Sequence, residues 1–313
     1  MFSGVKRKQL FADAGLLAVA IIWGFNFVVI KSVINELAPM VYLGIRFTLA
    51  FMILVCISPK VLFQNTKKNI IRALGVGLLL FGGFAAQTIG LSYTTPAISG
   101  FLTVAYIVFV PLIIGLYKKK YPGHHIVLGG SLILTGIGIL SIKGTLLLGF
   151  GEALTLVCAL LFALHIIALD CTTQKMSSFF LTTVQLGVVG ILSLFFALFY
   201  DSFPAFISMK GWLGIVFGSL LGSIGGYFGQ TIAQRYTSPS HVAIIMSTEA
   251  VFALLFSLLF GIEKMSARTF LGFAAVFIGV LIVEMFSIYS TQPIAGQLKD
   301  PIAAESCPDS SRD

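Results

Sequence analysis

The stretch "QTIGLSYTTP", Gln87 to Pro96, returns almost unchanged as "QTIAQRYTSP", Gln230 to Pro239. The copies stand 143 positions apart and align without a gap. The register extends outward from the phrase. Gly75, Gly82 and Gly83 fall on Gly218, Gly225 and Gly226, Tyr93 on Tyr236, and Val108–Phe109 on Val251–Phe252. Leu128–Gly129 then meets Leu271–Gly272, and Gly136 meets Gly279. Nearer the N-terminus the offset is slightly shorter: Asp13 meets Glu152, Trp23 meets Phe162 and Asn26 meets His165. The chain reads as one unit written twice.

Composition says what solvent the unit was written for. Of 313 residues, 58% are hydrophobic and 10% charged, and the mean hydropathy is +1.01. Soluble domains carry about 25% charged residues, and no single globular core could bury this much apolar surface. Apolar runs long enough to cross a bilayer are expected near 11–34, 39–57, 70–91, 95–117 and 125–143, then 151–170, 178–199, 212–235, 240–261 and 267–289. The expected fold is therefore an all-α membrane protein with ten transmembrane helices built from two inverted five-helix repeats. Residues 1–10 form a cytoplasmic N-terminus, 11–144 and 151–289 the two repeats, and 290–313, polar and containing prolines, a disordered cytoplasmic tail. "KRK" at Lys6–Lys8 followed by an apolar run resembles a signal peptide, but the run continues to Ile30 and reads as an uncleaved first span.

The net charge of +8 lies in short clusters between apolar runs, with no basic stripe interleaved with aromatics, so nucleic acid is not an expected partner. The clusters are orientation signals. Lys6–Lys8, Lys60, Lys67, Lys68, Arg72, Lys118–Lys120, Lys175 and Arg235 share one side, against Lys143, Lys210, Lys264 and Arg268 on the other. Both termini are thereby expected in the cytoplasm, in the plasma or inner membrane. Cys56, Cys158, Cys171 and Cys307 show neither metal spacing nor a disulfide framework.

Five spans is an odd number, so the second unit enters the membrane from the opposite side. Inverted repeats of this kind characterise secondary transporters with a site near the midplane. Duplication in a channel or structural protein is the competing explanation.

Several stretches carry a resemblance. "WGFNFVVIK" in the first span, Arg46 in the second, "Q-x-x-G-L-x-Y-T" leaving the third, Glu249-Ala250-Val251-Phe252 in the ninth and "LGFAAVFIGVLIVE" in the tenth resemble the EamA family of the drug/metabolite transporter superfamily. The resemblance covers the chain apart from the tail. It implies a ten-helix carrier, an EamA-like permease for a metabolite, amino acid or drug-like compound, often acting outward by alternating access. That family usually has proline after the ninth-span glutamate; this chain has Ala250, so no proline forces a kink there.

Polar side chains within spans are costly in lipid and mark candidate function. Trp23 and Asn26 share a helix face, and His165 is the counterpart of Asn26. Gln87 and Gln230 are counterparts, and Gln234 lies one turn beyond the second. Glu249, with Tyr106 as counterpart, is read as pairing with Arg46, binding a cationic group or carrying a proton. For Trp23 and Asn26 interhelical hydrogen bonding competes with cavity lining, for His165 it competes with proton coupling or substrate contact, and for the glutamines capping of broken backbone near the turn competes with substrate contact. Gly214, Gly218, Gly222 and Gly226 recur every four residues and predict a ridge for close helix approach.

Arg46 is the only cation well inside a span, so phosphorylated sugars are disfavoured and a small neutral, zwitterionic or aromatic-bearing substrate is expected. The chain lacks H-E-x-x-H, G-x-S-x-G, a P-loop and a carboxylate cluster at a membrane face, so it is not read as an enzyme. No cofactor or metal is expected. The expected partners are the bilayer and a small-molecule substrate, and a homodimer through the glycine-rich helices is left open. A passive channel or facilitator is the alternative function.

Overall fold

The structure is a computed structural model and describes residues 2–62, 65–117, 119, 123–141 and 149–290. Lys118, Lys120, Lys143 and the expected tail from 291 onward lie outside the described residues, as do the side chains of Lys6–Lys8. Among the described residues the fold is entirely helical. Helices α1 (Phe2–Ile34), α2 (Pro39–Ile57) and α3 (Lys67–Tyr93) come first, followed by α4 (Pro96–Thr103), α5 (Tyr106–Tyr117) and α6 (His124–Ser141). Next are α7 (Phe150–Thr173), α8 (Ser178–Tyr200), α9 (Met209–Phe217), a π-helical segment Gly218–Gly225 and α10 (Gly226–Ala233). The last are α11 (Pro239–Ser247), α12 (Glu249–Leu259) and α13 (Ala267–Ser290).

Among the described residues eight helices, counting α4–α5, α9–α10 and α11–α12 each as one, are long and apolar enough to cross a membrane. The expected fifth and tenth spans fall on α6 and α13, whose apolar stretches Val127–Gly136 and Ala267–Ile282 are shorter. Helix α1 also begins at Phe2, well before the expected span start at 11, so part of the expected N-terminal segment is helical. Leu198, Phe199, Phe206 and Leu213 are exposed, as lipid-facing side chains are.

The repeated phrase has a local physical meaning. Each copy ends one helix, makes a short turn and starts the next with a hydroxyl cap followed by proline. Thr95 Oγ1 accepts from the amide of Ile98 at 3.4 Å ahead of Pro96, and Ser238 Oγ accepts from the amide of His241 at 3.3 Å ahead of Pro239. Proline suits the first helical position because its missing N–H would have no intrahelical partner there.

The helices that follow are both interrupted, at equivalent residues. Ala105 N donates to Leu102 O and Val108 N to Ala105 O in the first copy; Thr248 N donates to Ile245 O and Val251 N to Thr248 O in the second. These tighter, i→i−3 bonds break the α-helical run. The break in the second copy needs no proline at Ala250. Ser247 and Thr248 instead turn their hydroxyls back onto Ile244 O (2.6 Å) and Ile245 O (2.7 Å), a bonding pattern that bends helices.

Packing follows the same duplication. Helix α3 lies along α7, and its counterparts α9, the π segment and α10 lie along α1. Contacts of α7 with α4 and α5 are matched by those of α1 with α11 and α12, while α2 packs on α8 and α6 on α13. Glycines allow the closest approaches. Gly83 stands against the ring of Phe162, and its counterpart Gly226 against the indole of Trp23, which is itself the counterpart of Phe162.

Outside the spans, Glu36 ties the α1–α2 turn to the start of α9. It accepts from both the amide and the hydroxyl of Ser208, and these two bonds, the amide first, hold its carboxyl below the usual carboxylate range. Cys56 and Cys158 are free.

Candidate functional site

Between the two halves lies a cavity lined from α1, α2, α3, α5, α7, α10, α11 and α12. Trp23, Asn26, Arg46, Gln87, Tyr106, His165, Gln230 and Glu249 all line it. Gln234 does not: its side-chain amide donates to Ile166 O at 3.0 Å and ties α10 to α7.

The wall is arranged as counterpart pairs. Trp23 donates from Nε1 to Gly222 O at 2.9 Å and lies against Tyr227, ring centroids 4.9 Å apart. Tyr227 is the counterpart of Phe84, and the two rings meet edge-on at 5.7 Å. Gln87 donates to Thr103 Oγ1 at 3.3 Å, whereas the carbonyl oxygen of its counterpart Gln230 is buried with no partner. Asn26 is buried and makes no side-chain hydrogen bond; its counterpart His165 is paired through Nε2 with Gln185 Oε1 at 2.9 Å.

The expected Glu249–Arg46 pair is not formed. Glu249 Oε1 instead accepts from the hydroxyl of Tyr106 at 3.3 Å, so the acid bonds to its own counterpart across the two broken helices. Each break places its first following residue, Tyr106 or Glu249, at the wall. Arg46 sits on the π segment, with Nε donating to Gly218 O (3.1 Å) and Ser223 Oγ (2.9 Å). Its guanidinium lies 4.8 Å from the ring centre of Phe47 and 5.3 Å from that of Phe84. The glycine ridge is thus more than a helix contact. Gly218 and Gly222 leave room for Arg46 and Asn26, and Gly226 for Trp23.

Sequence reading missed Tyr227, Phe84 and Gln185. The first two share the register of the repeated phrase, and Gln185 stands 139 positions after Arg46, the same offset that joins Asn26 to His165. Extending the alignment to the second span would have found it.

The two turns of the repeated phrase are gripped by charged groups. Lys31 donates to Leu91 O (2.7 Å) and Thr94 O (2.9 Å), and Thr94 Oγ1 donates to Glu152 Oε1 at 3.2 Å. At the other turn Asp13, the counterpart of Glu152, lies 3.9 Å from His241. Among the described residues, no three His, Cys, Asp or Glu side chains cluster to hold a metal.

The sequence matches the model of the EamA-like transporter family twice, over residues 10–142 and 149–285. A protein of Archaeoglobus fulgidus named as an uncharacterized transporter is 30% identical over 283 residues, 90% of this chain and 88% of the relative. Another, the Bacillus subtilis uncharacterized transporter YvbV, is 25% identical over 252 residues, 70% of this chain and 78% of the relative. One solved crystal structure has the same fold at a TM-score of 0.67 and 14% identity, covering 90% of this chain and 99% of its own. With its apolar helices and its buried polar cavity between two matched halves, the chain is a multi-pass membrane protein of the EamA-like transporter family.

Proposed function

We propose that the protein is a secondary carrier that moves a small molecule outward across the cytoplasmic membrane by alternating access, with the cavity as its binding site. In this reading α6 and α13 complete ten spans, the five-helix halves are inverted, and both termini are cytoplasmic. The observation that carries the proposal is the origin of the cavity wall: eight polar or aromatic side chains singled out in sequence meet there, five from the first half and three from the second. A wall shared by two inverted halves has equivalent routes to both faces, so inward-open and outward-open states would differ little in energy. The broken helices α4–α5 and α11–α12 supply the deformable elements, since irregular backbone in a membrane persists only where it lines a cavity or is buried in protein.

The test uses Asn26→Cys in a variant freed of its four native cysteines. A membrane-impermeant maleimide is expected to label it from the cytoplasmic face in inside-out vesicles and from the opposite face in right-side-out vesicles. Labelling from one face only would contradict access from both sides.

A further inference from the structure

The cavity holds one buried cation whose charge no acidic group answers. Arg46 is fully buried. Its Nε is satisfied by Gly218 O and Ser223 Oγ, Nη1 reaches Tyr42 Oη only at 3.4 Å, and Nη2 has no partner. Those partners are neutral, and Glu249 is bonded elsewhere. The aromatic faces of Phe47, Phe84 and Tyr42 offset part of the cost of the charge. They leave unmade the strong, charge-assisted bonds that a guanidinium forms with an anion.

The opposite half gives an internal comparison. Gln185, the counterpart of Arg46, is neutral and bonds His165, the counterpart of Asn26. In the Arg46 half the corresponding pair does not close. Asn26 makes no side-chain hydrogen bond, and Arg46 Nη2 and the Asn26 amide both border Gly222, whose missing Cβ would stand 2.9 Å from the first and 3.2 Å from Asn26 Oδ1. The two halves differ where a ligand anion would be recognised.

We propose that Arg46, with Asn26 beside it, is the docking group for a carboxylate, and that the substrate is a monocarboxylate carried on an apolar or ring-bearing body. A single guanidinium with a free arm matches the planar fork of one carboxylate. A phosphate ester would call for further cations, and among the described residues Arg46 is the only Lys or Arg on the cavity wall. The body of the ligand would lie among Trp23, Phe84, Phe162 and Tyr227.

The inference rests on the cavity being the carrier's binding site, and its test separates the two. Purified full-length protein is titrated with hydrocinnamate and hydrocinnamamide, and with the α-amino derivative of each, following thermal stability and Trp23 fluorescence in a Trp212→Phe background. At least one carboxylate is expected to bind saturably and at least ~10-fold more tightly than its amide, the loss typical of removing a charge-assisted hydrogen bond. Arg46→Gln should erase that preference. Arg46→Lys, which keeps the charge without the fork, should retain a reduced preference, and it serves if the Gln variant fails to fold. Equal binding of acid and amide, a preference that survives Arg46→Gln, or no binding by any carboxylate would each overturn the proposal. Arg46-dependent binding without any transport in proteoliposomes would leave the subsite standing and remove the carrier. Transport of the carboxylates, indifferent to Arg46→Gln, would do the reverse.

Discussion

Glu249→Gln is expected to lower transport roughly 10- to 100-fold while the protein still inserts and folds, the range that follows from ~1.5–3 kcal/mol for the charge-assisted contact that the carboxylate would make with the moving substrate or proton. The carboxyl is buried at the first residue of α12, bonded to Tyr106, and is the only acid lining the cavity. Glutamine preserves the shape and still accepts from Tyr106, but it neither ionises nor carries a proton. The pH dependence of transport should flatten along with the rate. Tyr106→Phe removes only the neutral partner and should cost less than Glu249→Gln. Transport assayed across a pH series in proteoliposomes reads both effects, and a Gln variant with wild-type flux and pH profile would sink the assignment.

The second large effect is expected at Gly24→Val. A Cβ there would press on Phe252 Cβ and stand 2.8 Å from the carbonyl oxygen of Glu249 and 2.9 Å from the amide nitrogen of Ala253. Two of these three contacts are backbone, so no side chain can turn aside, and α1 must separate from α12. Overpacking of this kind costs about 1–3 kcal/mol, read as a lower unfolding temperature in detergent. Because α12 begins at Glu249, binding should weaken as well. Gly15 is the control, since a Cβ there meets nothing within 4 Å, and Gly15→Ala should unfold at or above the wild-type temperature. Equal stability of the Gly15 and Gly24 variants would show that the α1–α12 contact is not tight.

The architecture was legible because the repeated phrase is local chemistry. A helix end, a Thr or Ser cap and a following proline sit together in sequence, and duplication doubled the signal. Membrane burial was legible from composition alone. Much of the cavity wall was legible too, because a polar side chain in a long apolar run stands out wherever it finally points.

What sequence did not give was pairing. Glu249 was read against Arg46 because they carry opposite charge, yet the helix break turns Glu249 toward Tyr106. The break itself was hidden, since Ser247 and Thr248 do the work expected of a proline. Gln234 matched the face of Gln230 by spacing, and as the C-cap of α10 it still donates its N–H to Gln230 O, but its side chain bonds Ile166 O of α7 instead of joining the cavity wall. The glycines of the π segment gave a correct ridge, though not what packs on it, because Arg46 and Trp23 approach from other helices.

The most direct test of alternating access is counterflow. Proteoliposomes loaded with an unlabelled compound that binds the purified protein are diluted into a trace of the same compound, labelled. A carrier whose cavity opens to one face at a time should accumulate the label transiently above its equilibrium level, and Glu249→Gln should diminish that overshoot. Uptake that rises to equilibrium without overshoot, whatever is loaded inside, would mean an open pore and would contradict the account.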